Sequence, residues 1–171
     1  MNILFVYPET PSTFWSFKNA LKFVSKKSSE PPLGLITIAA MLPKDWQKKL
    51  IDMNVSQLKE KHLRWADYVF LTGMNIHTSS MKKVITQCNQ IGVKIVLGGP
   101  LATTDHHQFL GVDHFVLGEA EQIISELVND MQNDCTKFIY QSSEFPEISK
   151  TPLPMWNLLE MKKYASMSIQ F

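Results

Sequence analysis

Three short apolar runs that each lead into glycine constrain the fold of this chain more than any other feature. They read YVFLTG (68–73), KIVLGG (94–99) and HFVLGE (114–119). Continuous runs of this length, rich in β-branched and aromatic residues, are typical of strands buried on both faces of a parallel sheet. A glycine at the end of such a strand lets another molecule approach the backbone closely, because it has no Cβ atom.

Other apolar runs extend this pattern toward both ends of the chain. ILFVY (3–7) predicts a fully buried first strand, and KLIDM (49–53) is a weaker candidate for the second. FIY (138–140) is a candidate for a sixth strand at the edge of the sheet. The chain is therefore expected to hold five strands and a candidate edge strand.

Helical periodicity separates these strands. Apolar residues recur at helical spacing after His77, and the segment after Gly118 repeats that spacing. LGLITIAAML (33–42) is apolar nearly all round, which predicts a buried core helix that Pro43 ends.

Alternation of strands and helices predicts an α/β fold. It is expected to be a flavodoxin-like doubly wound parallel sheet of five strands in the order 2-1-3-4-5. In such sheets ligands bind beyond the carboxyl ends of the strands, where the strand order reverses. The loops at that edge supply the candidate cofactor-binding residues: Tyr7, Pro8, Glu9, Thr72, Gly73, Met74, Asn75, Gly98, Gly99, Pro100, Gly118 and Glu119.

Composition excludes several classes of partner. The 171 residues fit one domain, and 17 basic against 16 acidic residues leave a net charge of +1. No nucleic acid is expected as a partner without a basic face, and no apolar run approaches the roughly 20 residues that span a membrane. Cys88 and Cys135 are too far apart for a metal motif or a disulfide framework, which favours a reducing, cytoplasmic location.

The polar motifs identify neither a catalytic residue nor a metal site. His106 and His107 are adjacent, so they point apart in most backbones and make a poor chelating pair. Asp105 opens a sequence like D-x-H-x-x-G, but Leu110 stands where its glycine belongs. Glu119 opens a helix, where a carboxylate suits the helix dipole. No dinucleotide-binding or P-loop motif occurs.

The pattern changes after residue 141. Residues 142–171 contain three prolines and no alternation of strands and helices, which predicts a linker. We therefore divide the chain into an α/β domain at 1–141 and a linker at 142–171 that leads to a domain absent from this chain.

Six segments in order along the chain resemble the N-terminal cobalamin-binding domains of cobalamin-dependent radical S-adenosylmethionine enzymes. The segments are MNILFVYPE, PPLGLITIAAML, IDMN, WADYVFLTGM, VLGGP and DHFVLGEAE. The closing SKTPLPMWNLLEMKKYASMSIQF is similar to the connector into the radical domain of those enzymes. The resemblance covers essentially the whole chain.

The resemblance implies a cobalamin cofactor and a partner domain of the same protein. That C-terminal radical domain would bind a 4Fe–4S cluster and S-adenosylmethionine, and the full-length protein would carry out methyl transfer or related radical chemistry. Family members are methyltransferase-like or cyclase-like, and hopanoid-type lipids are among their substrates. The cobalamin contacts implied by the resemblance are Thr72, Met74, Gly98 and Gly99, followed by Gly118 and Glu119.

Two departures from the family pattern bear on the chemistry. YPETPSTF (7–14), which follows the first strand, has no histidine, so no histidine ligand to cobalt is expected from it. The family's C-x-x-x-C-x-x-C motif is absent, and Cys88 and Cys135 cannot replace it. The chain is therefore expected to be an N-terminal portion of a longer protein and inactive by itself.

Two other functions are compatible with the same residues. One is a flavodoxin-like interaction or regulatory domain that binds no cofactor. The other is a small enzyme that uses Glu119 or His77 as an acid or base, which a carboxylate with a strongly perturbed pKa in a pocket would favour.

Overall fold

The computed structural model of the protein describes residues 1–12, 18–143 and 145–167. The described residues form six strands: β1 (Asn2–Tyr7), β2 (Gln47–Asp52), β3 (Tyr68–Thr72), β4 (Lys94–Gly98), β5 (His114–Leu117) and β6 (Ile139–Gln141). The α-helices among them are α1 (Lys18–Phe23), α2 (Leu33–Met41), α3 (Glu60–Trp65), α4 (Thr78–Ile91), α5 (Pro100–Asp105) and α6 (Ile124–Gln132). Short 3-10 helices cover Asn75–His77, His106–Gln108, Ala120–Gln122, Ile148–Lys150, Trp156–Leu158 and Met161–Lys163. None of the helices described here is long and apolar enough to cross a membrane.

The strands form one parallel sheet in the order β2-β1-β3-β4-β5-β6. The flavodoxin-like doubly wound fold is confirmed, as is the order 2-1-3-4-5 of the first five strands. The sheet has one strand more than the predicted five, because the candidate edge strand β6 pairs with β5. Tyr140 holds this short strand in place: its side chain is buried, and its hydroxyl donates to Asp130 Oδ2 of α6 at 2.9 Å.

Helices cover both faces of the sheet, because the strands present apolar side chains in both directions. On one face Leu4, Val69 and Ile95 belong to a core shared with α3, α4 and α5. On the other face Phe5 and Phe70 belong to a core shared with α2 and α6. Burying one large apolar side chain contributes about 1.5–3 kcal/mol, so both layers stabilise the sheet.

The strand register brings the carboxyl ends into one row. Val6 pairs with Leu71, which sets Tyr7 level with Thr72. Thr72 pairs with Gly98, and Gly98 pairs with Val116 of β5, so that Gly118 follows directly beyond this row. The prediction that these strand ends share one edge of the sheet is confirmed.

The segment after β6 folds back onto the domain. Met155 N–H donates to Ile36 O of α2 at 2.9 Å. Tyr164 forms a parallel bridge with Ser28 and is 4% exposed. These contacts hold part of the predicted linker against the helices and loops beside the sheet.

Candidate functional site

A cavity of about 370 Å³ opens at the carboxyl edge of the sheet, between the strands and the helices α2 and α6. This edge is where doubly wound sheets bind their ligands. Half of the twelve candidate residues line the cavity: Thr72, Gly98, Gly99, Pro100, Gly118 and Glu119. These six candidate residues thus lie at one side of one cavity.

Apolar side chains of neighbouring strands form the floor of this cavity. Phe70 of β3 pairs with Val96 of β4, and their exposed fractions are 5% and 2%. Nearer the edge, Gly98 lies between Thr72 and Val116 in the sheet. Because Gly98 has no side chain, the row is open at that point and the cavity extends to Val96 below it.

Helix α2 supplies the opposite wall through Leu33, Gly34, Thr37 and Ile38. A Cβ atom placed on Gly34 meets no other atom within 4 Å, so packing inside the protein does not require glycine there. Glycine inside a helix costs about 1 kcal/mol relative to alanine. The missing side chain leaves space on the cavity side of the helix.

The sequence analysis missed these helix residues as part of the site. It predicted that 33–42 forms a buried core helix, and Leu35 and Ala39 do pack in the core. An all-round apolar helix gives no periodic signal for a second exposed side. Gly34, a glycine within a helical pattern, was the available signal.

Two glycines of the edge have conformations that other residues rarely adopt. Gly99 has a φ of +87°, and a Cβ atom there would lie 2.0 Å from Thr72 Oγ1. Gly118 has a φ of +88°, and its Cβ would lie 2.3 Å from Ser142 O. The Gly118 N–H donates to Thr103 Oγ1 at 3.0 Å, which ties this turn to α5. Both glycines therefore shape the turns that border the cavity.

A second cavity of about 250 Å³ opens at the same edge, and Tyr7 and Met74 of the candidate residues line it. Thr10, Asn54 and His77 line it as well. The candidate residues after β1 and β3 therefore lie apart from those after β4 and β5.

His77 is held rigidly beside this second cavity. Its side chain is 1% exposed, and its Nδ1 accepts a hydrogen bond from Met74 N–H at 3.0 Å. Its Nε2 lies 3.0 Å from Thr10 Oγ1, so both ring nitrogens have partners. Since Nδ1 accepts, the neutral ring carries its proton on Nε2. Burial lowers the pKa of His77, which keeps the ring neutral and does not favour it as an acid.

Asp52 joins the loops around the second cavity. Its Oδ1 accepts hydrogen bonds from the backbone and side-chain nitrogens of Asn54, both at 2.8 Å, and its Oδ2 accepts one from the Tyr164 hydroxyl at 3.0 Å. Asn54 accepts from Thr10 N–H at 2.8 Å and donates to Pro8 O at 3.1 Å. Burial raises the pKa of Asp52, although the hydrogen bonds from Asn54 and Tyr164 act in the opposite direction.

The remaining candidate residues lie in the loops and not in either cavity lining. Glu9 N–H donates to Ser80 Oγ at 2.9 Å. Asn75 is exposed and begins a 3-10 turn. Packing around Gly73 is tight, because a Cβ atom there would lie 2.7 Å from Met81 Sδ and 3.1 Å from His77 Cβ.

The adjacent histidines line neither of these two cavities. The expectation that His106 and His107 point apart is wrong, because their ring centres lie 3.9 Å from each other and His106 also packs on the Phe115 ring at 5.3 Å. Within residues 1–12, 18–143 and 145–167, no three His, Cys, Asp or Glu side chains come together as a metal site. Glu119 is exposed where it lines the first cavity. The first cavity is thus open at the sheet edge and lined mainly by apolar residues.

Comparison with known proteins agrees with a binding role. The sequence model of one family, the B12 binding domain, matches residues 23–128. Over its whole length the chain is 38% identical to an uncharacterised methyltransferase of Synechocystis sp., of which it covers 32%. It is 27% identical, over 99% of its length, to the hopanoid C-2 methylase of Rhodopseudomonas palustris, of which it covers 33%. The chain thus spans about a third of the length of these relatives. No solved structure matches it significantly.

Proposed function

Because the chain belongs to the family of B12-binding domains, we propose that it binds cobalamin with the nucleotide tail inserted between the sheet and α2. The observation that carries this proposal is the cavity at the carboxyl edge, open where Gly34 and Gly98 lack side chains. A Cβ atom on Gly34 would meet no protein atom within 4 Å, and the atoms nearest to one on Gly98 belong to Val116. The residues present therefore fit a flat group entering from the edge.

The corrin ring would lie over the carboxyl edge, above the loops that follow the strands. Met74 and Ile76 are 52% and 44% exposed there and offer apolar surface to the ring. The residues proposed to contact the cofactor are Tyr7, Pro8, Glu9, Thr72, Gly73, Met74, Asn75, Gly98, Gly99, Pro100, Gly118 and Glu119. Those lining the first cavity would contact the tail, and the others would lie beneath or beside the ring.

No histidine of the described residues is proposed as a ligand to cobalt. His77, the nearest to this edge, has both ring nitrogens in hydrogen bonds and is almost fully buried. His106 and His107 pack against each other and against Phe115, outside both cavities. The chain's own residues would hold and orient the cofactor and limit access of water to its tail.

In the full-length protein this module would serve a radical S-adenosylmethionine enzyme that transfers a methyl group. The names of the two relatives, a methyltransferase and a methylase, support methyl transfer, and their greater length leaves room for a further domain. The radical domain, its 4Fe–4S cluster and its S-adenosylmethionine rest on the resemblance of residues 142–171 to the family connector. Cobalamin would supply the cobalt chemistry of the methyl transfer, and residues 1–141 would form the domain that binds it.

The proposal is tested by titrating the purified chain with hydroxocobalamin and following visible absorption. Gly34→Leu should weaken binding at least tenfold, because the new side chain occupies the cavity. Ala40→Leu, which adds a similar side chain to the same helix away from the cavity lining, should leave binding unchanged. Circular dichroism checks that both variants fold.

Two results would contradict the proposal. The absence of any spectral change at high protein concentration would leave an interaction or regulatory domain without cofactor as the better function. Unchanged binding by Gly34→Leu would place cobalamin elsewhere on the domain.

A further inference from the structure

The polar side chains of the first cavity are concentrated near its mouth. Thr72 belongs to the row of residues at the sheet edge, and Glu119 and Glu121 follow β5 beyond that row. Among the described lining residues, Thr37 is the remaining one with a polar side chain. A ligand would therefore meet most of its polar partners at the entrance.

The inner end of the cavity is apolar. Phe70 and Val96 precede the edge residues Thr72 and Gly98 by two positions, which places them roughly 7 Å deeper along the strands. The Thr37 hydroxyl donates its hydrogen to Leu33 O at 3.0 Å, so toward a ligand it can act only as an acceptor. The inner walls thus consist mainly of hydrocarbon.

No described side chain of this cavity has a fully buried nitrogen or oxygen atom that lacks a hydrogen-bond partner. In the part of the chain that the structure describes, the buried side-chain nitrogen or oxygen without a partner is Nε2 of His114. His114 begins β5 and therefore lies toward the opposite edge of the sheet. Apart from the oxygen of Thr37, which can accept, the side chains lining the inner end offer no donor and no acceptor to the edge of a heterocyclic base.

We propose that this cavity selects the base of the cofactor's tail, taking a methyl-substituted benzimidazole in preference to an amino-purine. The inference rests on the proposed function and adds the chemical class of the tail. A methylated benzimidazole presents carbon and hydrogen to the inner walls. An amino-purine presents an exocyclic amine and ring nitrogens that would lose water. The Thr37 oxygen could accept from one N–H, but the ring nitrogens, which accept, would gain no donor. One unpaired buried polar group weakens binding by roughly 10- to 100-fold.

The experiment compares three corrinoids by isothermal titration calorimetry with the purified chain. They are cobalamin, the cobamide with adenine as its base, and cobinamide, which has no base. All three are used as dicyano complexes, because cyanide on both faces of cobalt detaches the base and removes differences in its bond to the metal. Cobalamin should bind at least tenfold more tightly than the adenine cobamide, and more tightly than cobinamide.

A pair of variants tests the residues at the inner end. Val96→Thr adds a hydroxyl there at nearly constant shape and should reduce the preference for cobalamin over the adenine cobamide at least threefold. Val69→Thr makes the same change at a fully buried position on the other face of the sheet. It should leave the preference unchanged.

Each contrary result overturns a different part of the argument. Equal affinity for cobalamin and the adenine cobamide overturns the selectivity. Equal affinity for cobalamin and cobinamide overturns insertion of the base, while binding itself stands. Failure of all three corrinoids to bind overturns the proposed function, and an unchanged preference in Val96→Thr overturns the assignment of the inner end.

Discussion

Gly98 and Gly99 are adjacent but are glycine for different physical reasons. Gly98 ends a strand, and a Cβ atom there would lie 3.3 Å from Val116 O, a tight but small contact. Gly99 has a φ of +87°, and its Cβ would lie 2.0 Å from Thr72 Oγ1. The first glycine keeps the cavity open, whereas the second allows the turn.

This difference predicts unequal effects of the two substitutions on stability. Gly99→Ala should lower the free energy of unfolding by roughly 1–3 kcal/mol, because a residue with a Cβ atom is strained at that φ. Gly98→Ala should cost less, and Gly98→Val should abolish cobalamin binding while the domain stays folded. Urea denaturation and the hydroxocobalamin titration measure the two effects. Equal destabilisation by both alanine substitutions would contradict this assignment.

His77 should make stability depend on pH. Burial lowers its pKa from the ordinary value of 6.5, so between these two values the unfolded chain holds more protons than the folded chain. The contribution of His77 is present above pH 6.5 and is lost as the pH falls toward the folded-state pKa. Through this one group, the free energy of unfolding falls by at most about 1.4 kcal/mol for each pH unit.

Urea denaturation between pH 7.5 and about pH 5 measures this contribution. His77→Gln should flatten the decline in stability toward acid pH and lower stability at neutral pH, since its hydrogen bonds to Thr10 and Met74 change. His107→Gln, at an exposed position, should follow the original profile. If the stability of His77→Gln fell as steeply toward acid pH as that of the original chain, a group other than His77 would cause the decline.

At the scale of elements, buried and half-buried hydrogen bonds connect the loops at the carboxyl edge to the segment after β6. Tyr164 of that segment donates to Asp52 at the end of β2. Asn54 carries the connection from Asp52 to Thr10 in the loop after β1, and Thr10 contacts His77 after β3. The predicted linker is therefore attached to the loops proposed to face the corrin.

Removal of one hydroxyl tests this attachment. Tyr164→Phe leaves Asp52 Oδ2 buried without its partner, so unfolding should become roughly 1–3 kcal/mol easier. Hydrogen exchange should rise at the amides of Ala165 and Ser166, which donate to Ser28 O and Ser29 O.

Tyr140→Phe provides the matched control, since Tyr140 donates to Asp130 near β6. It should lower stability as well, but it should leave exchange at Ala165 and Ser166 unchanged. Equal protection of these two amides in Tyr164→Phe and the original chain would show that the segment is held by other contacts.

The sequence predicted the elements whose signals are local. Glycine-ended runs such as YVFLTG (68–73) predicted strands and their common edge, because parallel strands end at one side of a sheet. FIY (138–140) likewise predicted an edge strand, and β6 pairs with β5 there. The hydrogen bond from Tyr140 to Asp130 beside it was not predicted, because no local pattern reveals it. The wall formed by α2 was missed for a related reason, since an apolar helix such as 33–42 does not show which side remains uncovered. The buried bond between Asp52 and Tyr164 joins residues far apart in sequence and was equally unpredictable.

At the scale of the whole molecule, the two cysteines lie on opposite sides of the sheet. Cys88 belongs to α4 and to the core on one face, and burial raises the pKa of its thiol to about 12. Cys135 is exposed beyond α6, and its Sγ lies 3.7 Å from Asp130 Oδ1. The fold therefore keeps the two sulfur atoms from binding one metal cluster together.

This separation predicts that the chain does not assemble an iron–sulfur cluster. A 4Fe–4S centre is held by cysteine thiolates, and such a site in radical chemistry needs three of them close together. This chain has Cys88 and Cys135 alone, and the first remains a buried thiol near neutral pH.

Anaerobic reconstitution with iron and sulfide should therefore leave less than stoichiometric metal, and no reductive cleavage of S-adenosylmethionine should follow. The hydroxocobalamin titration on the same sample shows whether the domain is still folded. A chain that binds cobalamin but no iron would be folded and would lack only the cluster. Stoichiometric iron and sulfide together with cleavage activity would contradict the prediction and would require a cluster site built from other residues.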